Sequence, residues 1–206
     1  MSYGKMIAVT GLGSHLLFLF IFTIVHFIRP DKSVLASFVS EYALGEYGWL
    51  MTLGFLFIGV GAICLIIGLF SSMKPSKTAA ITLCIWCIGT FTFSVFPTDL
   101  PGDRPTTEGL IHGLSALFAL LNLSVAMIAW GFTFDKYDNW RHMAKLSWFF
   151  GAISTALFIG FLLSAPQLRG LTERILIILD ITWIILVIRK LYTIEITSSL
   201  NSKPSI

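Results

Sequence analysis

The ionisable residues of this chain are few, and several stand inside apolar sequence. Asp180 follows Ile177-Ile178-Leu179, and Glu173 lies seven residues earlier, two turns away on the same helical face. A carboxylate in hydrocarbon is costly, so Asp180 must be paired, hydrogen-bonded or protonated. His15 and His26 are eleven residues apart, close to three helical turns, and so point the same way. His15 is one candidate partner for Asp180 by depth; a Ser, Thr or Asn side chain is the alternative. His112, Ser115 and Asn122 share one face of a further apolar run. That stripe reads either as interhelical hydrogen bonding or as an imidazole lining a pocket. Cys84-Ile85-Trp86-Cys87 has C-x-x-C spacing, but no βαβ pattern surrounds it. Buried Cys is ordinarily a small hydrophobe, and no structural disulfide is expected.

The rest of the chain says what must position these groups. Of its 206 residues, 56% are hydrophobic and only 12% charged, with a mean hydropathy of +0.85. A soluble domain carries about 25% charged residues, so this chain lacks the polar side chains to cover a soluble surface. That argues against a soluble globular enzyme, a disordered protein and a nucleic-acid reader. The net charge of +3 does not point to a nucleic-acid partner, because the basic residues do not cluster. A one-domain polytopic membrane protein remains, with membrane lipids as its partners.

Six apolar runs reach the roughly 20 residues needed to cross a hydrocarbon core. They predict an all-α bundle with spans at Met6–Ile28, Trp49–Phe70, Thr78–Phe96, Leu110–Phe132, Leu146–Ser164 and Leu171–Leu191. The first five hold no Asp, Glu, Lys or Arg; the sixth holds Glu173, Arg174, Asp180, Arg189 and Lys190. The first run is too long for the apolar part of a secretion signal and reads as a retained helix. Nine Lys and Arg fall on the side of the termini and five on the other, so both termini are expected in the cytoplasm of a cell whose inner membrane holds the protein. Trp49, Trp130, Trp140 and Trp148 fall near span ends, where an aromatic belt would put them, while Trp86 and Trp183 read as packing residues. Gly54, Gly59, Gly61 and the Ala156-x-x-x-Gly160 pair read as places of close helix approach.

The outer connections are the long ones. Within Arg29–Gly48, the residues Val34, Leu35, Phe38, Val39 and Tyr42 recur at helical spacing, and Ser33 is a possible cap. A short extracytoplasmic helix folded over the bundle is expected there. Pro97, Pro101, Gly102 and Pro105 make the next outer connection a stiff turn. Thr197–Ile206 reads as a polar, disordered cytoplasmic tail beyond a single domain of residues 1–196.

Three sequence pieces carry a resemblance. Ser40-Glu41 with Gly45 precedes the second span, Phe96-Pro97-Thr98-Asp99 closes the third, and His112 opens the fourth. In these pieces the chain resembles a bacterial six-helix membrane family known as domain-of-unknown-function family 998. The resemblance covers nearly the whole chain and implies its architecture, not an activity. Its matched positions place Glu41, Asp99 and His112 on the outer rim. Two carboxylates and an imidazole are candidate ligands for a divalent metal such as zinc, or candidate acid and base catalysts. Membrane hydrolases such as the alkaline ceramidases use a similar set at one membrane face, by analogy only. Three functions stay open at this point: an outward-facing acidic and His-lined cavity that binds a lipid or metal, a lipid hydrolase or transferase at the outer leaflet, and a small proton-coupled transporter. His15, His26, Glu173 and Asp180 are further buried ionisable candidates.

Overall fold

Helices form along the apolar runs, and short polar residues set where they begin. The computed structural model describes residues 2–201, with side chains as far as residue 194. Six long helices follow in order: α1 (Tyr3–Ile28), α2 (Gly48–Ser72), α3 (Lys77–Val95), α4 (Thr107–Phe134), α5 (Arg141–Leu163) and α6 (Arg169–Asn201). Among the described residues there is no strand. Ser2 accepts a hydrogen bond from the Lys5 N–H, Ser76 from Ala79 and Thr106 from Gly109. Each cap satisfies one backbone donor that the first helical turn leaves open, worth about 1 kcal/mol. α3 ends one residue before Phe96, which is extended as the residue ahead of Pro97 must be.

Each helix packs on its neighbours in the chain, and α6 returns to α1, so the six close a ring; α2 also touches α6. α1 to α5 are long and apolar enough to cross a membrane. α6, with seven charged residues between Arg169 and Asn201, is excluded from that group by composition. It nevertheless runs between α1 and α5 through most of the bundle, from Arg174 beside His26 to Trp183 on Ser147. The loops α1–α2, α3–α4 and α5–α6 gather at one end, here termed the rim.

Several details differ from the sequence expectation. α6 continues to Asn201, through the first part of the expected disordered tail; helix continuation needs only the absence of a breaker, and the next Pro or Gly is Pro204. The remainder of that tail lies outside the described residues. The α1–α2 connection holds one short 3-10 helix, Val39–Ala43. It buries Val39 and Tyr42, while Val34 and Leu35 stay exposed in a separate turn that Ser33 caps through the Ala36 N–H. Trp130 and Trp140 are core residues and not belt residues. Trp130 donates to the Ala79 carbonyl at 3.0 Å, and Trp140 stacks on Phe134. A Cβ on Gly160 would meet nothing within 4 Å, so that glycine is no packing contact.

Candidate functional site

Inside the ring, toward the rim, lies a cavity of about 450 Å³. Phe18, Phe55, Trp86 and Phe93 supply much of its wall, and Phe38–Ser40 cover its outer end. Its polar lining is sparse: Ser40, Thr90, Thr98, His112, Arg169, Glu173 and Asp180. Gly113, Ala116, Leu117 and Leu120 of α4 and Phe161 and Leu162 of α5 form one side. Gly113 and Leu162 are also exposed on the outside of the bundle, so the cavity reaches the surface between the rim halves of α4 and α5. Farther from the rim the same helices meet closely, with the Ser124 and Ser154 hydroxyls 2.7 Å apart.

Asp180 is only 2% exposed. Its Oδ1 accepts a 2.6 Å hydrogen bond from Ser154, and its Oδ2 has no partner. The partner of Asp180 is therefore a serine and not His15. His15 is fully buried one helix away, donating from Nδ1 to the Gly11 carbonyl at 2.8 Å and leaving Nε2 without a partner. Its ring sits directly on Gly61, where any Cβ would overlap it.

Glu173 lines the cavity and fastens its cover. Its Oε2 accepts from the Val39 N–H at 2.7 Å, at the start of the 3-10 helix. Arg174, the next residue, donates from Nε to His26 Nε2 at 2.8 Å and from Nη1 to the Ser37 carbonyl at 2.8 Å. His26 accordingly carries its proton on Nδ1, bonded to the Phe22 carbonyl, and its ring packs on Tyr42 at 4.7 Å between centroids. The Arg174 guanidinium lies 5.4 Å from the Tyr42 ring centre, a cation–π geometry. The Leu171 N–H adds a bond to the Leu35 carbonyl. Arg29 completes the cover by reaching the Leu44 and Glu46 carbonyls and pairing with Asp31. That guanidinium hydrogen bond holds the Asp31 carboxyl below the usual carboxylate range.

The three rim residues singled out by the resemblance occupy separate roles. Glu41 accepts from the Phe38 N–H at 2.9 Å, within its own turn, and from Lys32 Nζ at 3.3 Å. Asp99 accepts from the Thr106 N–H at 2.9 Å and the Thr106 hydroxyl at 2.8 Å, which braces the α3–α4 turn. These bonds hold the Asp99 carboxyl below its ordinary pKa. Gly109 makes room for it, because a Cβ there would overlap the carboxylate. His112 lines the cavity and donates from Nδ1 to the Phe96 carbonyl at 2.8 Å, tying α4 to the end of α3. Neither Glu41 nor Asp99 lines the cavity. Among the described residues, no three His, Cys, Asp or Glu side chains come together as a metal site. Glu41, Asp99 and His112, candidate ligands for a divalent metal, are thus not gathered into such a group.

Ser115 and Asn122 bond carbonyls of their own helix, His112 and Phe118, so of the α4 stripe only His112 reaches a neighbouring helix end. Cys64, Cys84 and Cys87 are all free thiols. The sequence reading missed Ser124, Ser154, Arg169 and the cover-fastening part of Arg174. Ser154 was findable in principle, as a small hydroxyl residue in the span next to that of Asp180.

A family model described as "Protein of unknown function (DUF998)" matches residues 13–190. No curated protein and no solved structure matches the chain.

Proposed function

The chain belongs to the DUF998 family, and from that premise we propose that it is a multi-pass bacterial inner-membrane protein that binds an amphipathic lipid in the cavity. The observation that carries this reading is the side opening between α4 and α5. The cavity is walled by apolar and aromatic side chains, and Gly113 and Leu162 belong both to its lining and to the outer surface of the bundle. With the termini in the cytoplasm, as the Lys and Arg distribution favours, that opening faces the outer leaflet. An acyl chain then moves from the bilayer into the cavity without crossing water, and Arg169 and Ser40 wait at the rim for its polar end.

A catalytic reading has less support, because Glu41 and Asp99 are spent on their own turns and lie off the cavity wall. The test is saturable binding of a fluorescent single-chain phospholipid to the purified protein. Ala116 lines the cavity, so Ala116→Trp fills it. Loss of binding in this variant, with cooperative unfolding retained, supports the reading. Unchanged binding contradicts it.

A further inference from the structure

We propose that the ligand of this cavity carries an ammonium group, which sits against Asp180 while its apolar body lies along Phe18, Phe55, Trp86 and Phe93. The proposal deepens the lipid reading and rests on it. Asp180 lines the cavity while being 2% exposed, and its Oδ2 is a buried acceptor with no donor. Three of the chain's own hydroxyl and imidazole donors are committed. The Ser154 proton goes to Oδ1, the Thr90 hydroxyl to the Trp86 carbonyl, and the His112 Nδ1 proton to the Phe96 carbonyl. Arg174 bonds His26 and Ser37, with its Nη2 unpartnered and off the cavity wall, and Arg169 stands exposed at the rim. A ligand that enters the cavity can supply the donor that Oδ2 lacks.

The charges select the kind of donor. Two acidic side chains, Glu173 and Asp180, stand among the described lining residues with one cation, Arg169, while the buried Arg174 lies beside Glu173 and leaves Asp180 without a cation of its own. An ammonium supplies both the missing hydrogen bond and the compensating charge, whereas a hydroxyl supplies only the bond. A volume of about 450 Å³ suits an amphiphile of ordinary small-ligand size.

The experiment uses the full chain in phosphatidylcholine nanodiscs, with empty discs as background. Tritiated dodecylamine and dodecan-1-ol are compared, first on the unaltered protein. The amine should bind saturably and about tenfold or more tighter than the alcohol, the scale of one charge-assisted hydrogen bond. Asp180→Asn should erase that preference. Equal binding of the two probes, or a preference that survives Asp180→Asn, overturns the ammonium proposal and leaves the cavity reading standing. Failure of every probe, the fluorescent phospholipid included, removes both. The comparison on the unaltered protein decides the matter even where Asp180→Asn fails to fold. Discs that include phosphatidylethanolamine then identify the source of a confirmed amine: competition assigns it to a lipid headgroup, and its absence to a free amphiphile.

Discussion

Ser154 on α5 donates to Asp180 on α6 at 2.6 Å, and the serine satisfies only one of the two carboxylate oxygens. The pair joins two neighbouring helices of the ring and leaves an acceptor beside the cavity. It is both a structural tie and one of the few polar points of a mostly apolar wall.

Removing the tie should be felt in stability. Ser154→Ala leaves Asp180 with neither oxygen bonded to a side chain, which should destabilise the bundle by about 1–3 kcal/mol. Ser154→Ala combined with Asp180→Val, which removes the carboxylate as well, should cost less than the two single changes added together. Denaturant unfolding in detergent measures the cycle; strict additivity would show that the bond does not couple the two helices.

Gly61 and His15 make a second test of packing. A Cβ at position 61 would overlap the imidazole, so Gly61→Ala should cost about 1–3 kcal/mol through overpacking. His15→Ala opens the space that the new methyl needs, so the double variant should recover part of the loss. Thermal unfolding of the four proteins checks this, and a neutral Gly61→Ala would contradict the contact.

The Asp99 turn gives a pH dependence with a definite sign. Hydrogen bonds from the Thr106 N–H and hydroxyl lower the folded-state pKa of Asp99. Its contribution is therefore present in full above the unfolded carboxylate value of about 3.9 and is lost as pH falls through the folded value. Asp99→Asn should lower stability near neutral pH and narrow its gap to the parent protein in acid. A gap that widens in acid would reverse the assignment.

The cover over the cavity should be ordered through Glu173. The Val39 N–H donates to this carboxylate, so its amide exchange should be slow and should accelerate in Glu173→Ala. Exchange at Val39 that is already as fast as in a free coil would mean that the cover is not fastened.

Much of this architecture was legible in the apolar runs, because a span must be long, apolar and internally hydrogen-bonded. Asp180 was legible as a buried acid for the same reason. Its partner was not, since which of the many small hydroxyl residues faces α6 depends on helix rotation. Trp130 and Trp140 misled because proximity to a span end does not say whether an indole faces lipid or the core. Glu41, Asp99 and His112 belong to the same rim but were spent locally: each meets backbone donors or acceptors within or beside its own turn, which spacing along the chain does not reveal.

The proposed lipid occupies the cavity from between α4 and α5. Photo-crosslinking with a diazirine-bearing fatty acyl lipid in nanodiscs, followed by peptide mapping, tests it most directly. Adducts on Leu117, Leu120 and Phe161, lost in Ala116→Trp, are the predicted result. Adducts confined to outward residues such as Phe20 and Ile88, and indifferent to Ala116→Trp, would contradict the account.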